Sequence, residues 1–146
     1  MPRRYTGTTD FPADGKRPGT ERMVTLFQRR HGNKVTNLGT WVVRDTWAGK
    51  PSVHGTGRAA DIGYTDRTVG IQMWNWLVTN SKTLGIEAVH DYVKGRAYRC
   101  SRGEGAAGVR KATDLGPGGN WLHVEISPTM ADDAAKFEAA WRSIPR

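Results

Sequence analysis

The chain has 146 residues, 37% of them apolar and six of them tryptophan, which is enough for a single packed domain. No run approaches the ~20 apolar residues that cross a bilayer, and Cys100, the lone cysteine, excludes an internal disulfide or a cysteine-rich metal site. The net charge of +8 predicts an acidic partner, which nucleic acid and an anionic cell-wall polymer both satisfy. The basic residues are mostly scattered, so a solvated basic surface accounts for the charge equally well. The start Met1-Pro2-Arg3-Arg4 has no apolar stretch behind it, so no ordinary secretion signal is read and synthesis in a cytoplasm is expected. Nothing signals oligomerisation.

Residues 1–19, rich in Pro, Gly and charge, read as a flexible N-terminal arm, and residues 20–146 as one domain. Thr20 is placed to cap a short helix carrying Met23, Leu26 and Phe27 and ended by Gly32. Thr40 to Arg44 is β-branched and aromatic and predicts a strand, as does the alternating run Ala59 to Tyr64. A helix is expected from Arg67 to Leu84 with Ile71, Trp74, Leu77 and Val78 as its apolar stripe and Gly85 as its stop. Ile86 to Tyr92 follows as a strand. Residues 94–119 read as a long Gly-rich basic loop. Asn120 to Ile126 is a strand, and Ser127-Pro128 opens a last helix bearing Phe137 and Trp141. The order predicts an α+β fold with a small, largely antiparallel sheet flanked by helices.

Chemistry concentrates in the histidines. His31 ends a basic helix and reads as a surface residue. His54 and Asp61 join a glycine-bearing turn to a strand, on which Ala59, Asp61 and Gly63 share one face. An acid between Ala and Gly leaves room for a metal or a substrate; hydrogen bonding of turn amides is the plainer alternative. On the later strand Leu122, Val124 and Ile126 form an apolar face, and Trp121, His123 and Glu125 point the other way. Two histidines and one aspartate make a ligand set that zinc accepts, with a fourth position open.

Ser52-x-His54-x-x-Gly57-x-Ala59-x-Asp61 resembles the first zinc motif of the superfamily of D-Ala-D-Ala carboxypeptidases and L-alanyl-D-glutamate endolysins, the Hedgehog/DD-peptidase fold. Trp121-Leu122-His123-Val124-Glu125 is similar to its second. The resemblance implies Zn2+ on His54, Asp61 and His123. It implies hydrolysis of peptidoglycan stem-peptide amide bonds, by a protein that reaches the wall after holin-type release or as a virion component. Trp41 to Arg44 resembles the strand that carries a substrate-contacting arginine, which would be Arg44. The family's general base, three residues before the last zinc histidine, is replaced by Asn120, which cannot take a proton. Asp91, Glu125 and His90 are the substitutes the sequence offers, and on a strand only one of His90 and Asp91 can face the site. Asp114 and Glu104 stay open.

Three other readings stand beside this one. They are a zinc nuclease or phosphodiesterase suited to the +8 charge, a fold-retaining virion-structural or binding module that has lost its base, and a Cys100 nucleophile activated by Arg99 and Arg102. Trp74 and Trp76 invite an aromatic platform, although Trp74 has core spacing.

Overall fold

The computed structural model describes residues 2–10, 13–43 and 51–145. The fold is α+β: a six-stranded antiparallel sheet carries helices on one face. Helix α1 spans Pro18–His31 and buries Met23, Val24, Leu26 and Phe27. It begins earlier than Thr20 predicts. Pro18 takes the first turn, where its missing N–H costs nothing, and Thr20 instead donates its hydroxyl to the Gly57 carbonyl at 2.6 Å. Gly19 lets α1 touch the chain near Met130, where a Cβ would fall 1.7 Å from the Met130 carbonyl oxygen.

Strand β1 is Val35–Gly39, not the expected Thr40 to Arg44. A register slip between Asn37 and Gly39 and the positive φ of Gly39, 135°, end the pairing before Thr40. Arg44 lies outside the described residues. Strand β2 is Ala59–Tyr64, as the alternation predicts.

Helix α2, Arg67–Thr79, is capped by Asp66, which accepts from the Val69 amide at 3.0 Å. Its buried stripe is Val69, Gly70, Met73, Trp74, Leu77 and Val78. Ile71 is 41% exposed, because the stripe centres on Met73 and Leu77 and leaves Ile71 on its flank. The helix stops at Asn80, whose side-chain amide donates to the Trp76 carbonyl at 2.8 Å. A short α3, Ser81–Leu84, then ends on left-handed Gly85.

Strand β3 is Ile86–Asp91. The expected long loop contains two more strands, β4 Arg96–Arg99 and β5 Val109–Lys111. Their arginines hide a real alternation, in which Tyr98 enters the core and Ala97 and Arg99 face away from it. Strand β6 is Trp121–Ile126. The single closing helix that was expected is two, α4 Pro128–Ala131 and α5 Ala134–Arg142. They are capped by Ser127 and Asp133, and the second buries Phe137 and Trp141.

The strand order is β1-β2-β6-β3-β4-β5, so the last strand of the chain lies between β2 and β3. Ile62, Val89, Leu122, Val124 and Ile126, all wholly buried, pack toward the helices. Cross-strand pairs Asp61↔His123, His123↔His90, His90↔Ala97 and Ala97↔Arg110 form one row on the opposite face.

The segment read as a flexible arm is tied to the domain. The Arg3 amide donates to the Cys100 carbonyl at 2.9 Å. The Thr6 amide and hydroxyl both donate to Glu87, each at 2.9 Å. Asp10 pairs at 3.0 Å with the fully buried Arg58. Composition hides this, since the buried charges that these polar residues satisfy lie far away in sequence.

Candidate metal centre

The Ser-x-His-x-x-Gly run has a local physical logic. The Ser52 hydroxyl accepts from the His54 amide at 3.2 Å and opens a single 3-10 turn, Val53–Thr56. The Thr56 hydroxyl closes the turn on the Val53 carbonyl at 2.6 Å. Gly57, left-handed at φ 74°, swings the chain into β2. His54 is thereby fixed at the sheet's edge, facing Asp61.

Asp61 sits between two imidazoles. His54 Nε2 is 3.2 Å from Asp61 Oδ2, and His123 Nδ1 is 3.2 Å from Asp61 Oδ1. The far nitrogen of each ring also meets an acceptor: His54 Nδ1 the Thr40 carbonyl at 3.2 Å, and His123 Nε2 the Glu125 carboxylate at 2.7 Å. A neutral imidazole has one N–H to donate, yet each ring has acceptors on both sides. A second ring proton or a cation among the three inner atoms resolves that surplus, and in the second case the outer acceptors fix both tautomers. His54, Asp61 and His123 could hold a metal ion, for their ligand atoms all lie within 4.8 Å of one another.

Electrostatics follow from the same contacts. Burial alone would lower the His123 imidazolium, but Asp61 and Glu125 outweigh it and raise its pKa to about 10. Burial opposes the charge of Asp61, and hydrogen bonds from His123 and then His54 hold its carboxyl far below the usual range. Glu125 behaves likewise: its hydrogen bond to His123 overcomes burial and keeps it ionised.

His90 joins the site, its ring centroid 4.8 Å from that of His123. Burial first, and the nearby His123 second, push its pKa down to about 3, so it is neutral. Asp91 does not join. Alternation turns it to the helix face, where it is wholly buried and paired with Arg67 at 2.8 Å and Arg96 at 3.0 Å. Glu104 is also elsewhere, bonded to Ser81 and Arg3.

Cys100 is buried and donates to the Arg4 carbonyl, and burial raises its thiol to about 11, the reverse of an activated nucleophile. Trp74 is core, with Arg96 stacked over it, and Arg30 covers Trp76 at 4.0 Å. His31 stacks on Phe27, and burial and then Arg30 lower its pKa.

The triad opens into a cleft of about 780 Å³. Tyr5, Tyr92, Trp121, Arg99, Arg102 and Arg110 are among its walls. Tyr5, whose hydroxyl donates to Glu125, has no sequence signal; 120 residues separate the partners.

Residues 12–90, just over half of the chain, match the model of the VldE C-terminal domain. The chain belongs to the VldE C-terminal-domain family. Within this VldE-type domain the matched span carries His54, Asp61 and His90 and ends before β6, which supplies His123 and Glu125. No curated protein and no solved structure matches the chain.

Proposed function

We propose that this chain is a zinc-dependent peptidase that hydrolyses stem-peptide amide bonds of bacterial peptidoglycan. One observation carries the reading. Two imidazoles and a carboxylate converge at the floor of an open cleft, with the far nitrogen of each imidazole already committed to an acceptor. Nitrogen and carboxylate donors in that number, with space beside them, are the set of a catalytic rather than a structural zinc site. The resemblance of the Ser52-to-Asp61 motif to the peptidase superfamily supplies the substrate class.

Bound zinc would supply a Lewis acid that polarises a carbonyl and acidifies water. His54, Asp61 and His123 would hold it. The Thr40 carbonyl and Glu125 keep the two rings in the tautomers that present Nε2 of His54 and Nδ1 of His123. Glu125 is saturated by His123 and Tyr5, so it orients and does not abstract. Asn120 offers no base, Asp91 faces the core and Asp114 lines the cleft paired to Arg110, so we assign the proton-acceptor role to His90, whose ring lies 4.8 Å from that of His123. Burial and then His123 keep His90 unprotonated, so its ring nitrogen is open to a proton. Arg44 is the cation that the resemblance assigns to the developing oxyanion. The partner is the anionic wall polymer, reached after holin-type release or from a virion.

Asn120 favours a second reading, in which the fold binds metal and ligand without turnover. The test is metal content of the chain beside His54→Ala and His123→Ala, with all three incubated with purified peptidoglycan and with DNA. About one zinc per chain, lost in both variants, with new peptide ends released, is the expected result. Cut DNA would make the site a phosphodiesterase. Zinc without turnover would leave a binding module, and no zinc would sink the triad.

A further inference from the structure

The cross-strand row that carries the triad continues beyond it. From Asp61 and His123 it passes His90 and Ala97 and reaches Arg110 on β5. A second row runs Ala59, Glu125, Ala88, Arg99. Small Ala97 and Ala88 keep the floor low between the triad and the arginines. Arg102 joins the two from the turn after β4, donating to the Gly108 and Ala97 carbonyls at 3.1 and 3.2 Å.

Among the described residues these three guanidiniums are short of acids. Arg99 lies over the Tyr5 ring at 4.2 Å, and Arg110 meets Asp114 at 3.4 Å in a pair whose carboxylate is 66% exposed and which water weakens. They also crowd one another. After burial, Arg110 and then Arg99 are what lower the Arg102 pKa. The cleft thus has the carboxylates of Asp61 and Glu125 beside the triad and, on β4, β5 and the turn between them, three cations against the exposed carboxylate of Asp114.

We infer that Arg99, Arg102 and Arg110 form a subsite for a single carboxylate of an extended peptide, held about three to four residues from the group that lies at the triad. The spacing comes from the sheet. Three strand steps of about 4.8 Å separate His123 from Arg110 and two separate Glu125 from Arg99, about 14 and 10 Å, which about three to four extended residues span. A polyphosphate chain is disfavoured, since it would bring charge against Asp61 and Glu125 as well. The assignment of which group sits at the triad rests on the peptidase reading; the anion subsite itself does not.

The test is calorimetric binding of acetylated tetrapeptide amides to the full chain. A single glutamate is walked along the peptide, and each peptide is compared with its glutamine twin. A preference of about tenfold for glutamate at one position is expected, the strength of one charge-assisted contact. It should vanish in Arg110→Gln, a change at an exposed side chain that spares the fold, and in Arg99→Gln, and survive in His54→Ala. A preference absent at every position, or kept in both arginine variants, overturns the subsite. A short single-stranded oligonucleotide that outbinds every peptide and is lost in the same variants overturns the peptide assignment. Preference for one glutamate position with no peptide ends released from purified peptidoglycan would retire the peptidase reading and leave the subsite standing.

Discussion

The Tyr5 hydroxyl donates to one oxygen of Glu125, and the other oxygen of Glu125 accepts from His123 Nε2 at 2.7 Å. Tyr5 thus bears, through one carboxylate, on an imidazole of the candidate metal site. Tyr5→Phe keeps the ring beneath Arg99 and removes only the donor. Outer partners of this kind typically cost 10–100-fold in metal affinity when removed, so a loss of about tenfold is expected. Competition with a chromophoric chelator reads it directly, and unchanged affinity would make Tyr5 a packing residue.

Metal binding should release a proton. With its pKa near 10, His123 of the metal-free chain is an imidazolium at neutral pH, and a metal needs its Nδ1 lone pair. Calorimetry at pH 7.5 in buffers of different ionisation enthalpy should therefore show about one proton released per ion bound. Heats independent of the buffer would mean that the ring is already neutral.

His90→Ala separates holding the metal from using it. The variant should keep its zinc and lose about 100-fold in turnover, the usual scale for a lost proton acceptor. Zinc lost along with activity would make His90 part of the ligand set instead.

Asp91 governs stability, not chemistry. Burial opposes its charge, but Arg67 and Arg96 hold its pKa below the ordinary value. A depressed carboxylate stabilises the fold above the unfolded-state pKa near 3.9 and loses that contribution as the pH falls through the lower folded value. Chemical denaturation should show Asp91→Asn less stable by about 1–3 kcal/mol at pH 7, since both arginines keep some contact with water. The gap should narrow in strong acid, and metal stoichiometry should stay unchanged.

Cys100 should be silent in the native state. Its buried thiol, raised to about 11, predicts alkylation by iodoacetamide at pH 8 only when denaturant opens the fold. Rapid labelling of the native chain would contradict the packing of residues 3–4 over it.

What the sequence discloses here follows period and loses long-range pairing. Alternation on β6 separates His123 and Glu125 from Leu122 and Val124 with no structure in hand, and the glycine-rich turn marks His54 and Asp61. The same period says that His90 and Asp91 oppose each other and is mute on which faces the cleft. That choice is made by Arg67 on α2 and Arg96 on β4, which claim Asp91 from the helix side. Strands β4 and β5 are disguised because arginines fall on both of their faces, Arg96 toward the helices and Arg99 and Arg110 toward the cleft, and so read as loop. Tyr5 is invisible because nothing local ties it to Glu125.

The central place of β6 bears on how the molecule comes into being. Strands β1 and β2 can pair with each other, as can β3, β4 and β5, but the two sets meet only through β6, the last of these six strands to be synthesised. Until Trp121–Ile126 is inserted, β2 and β3 each present a bare edge, and the helices have half a sheet to cover. Such non-local closure favours slow, late and cooperative assembly. The same event delivers His123 and Glu125, so a nascent or nicked chain lacking β6 has neither a finished core nor a site: competence to act arrives together with the fold.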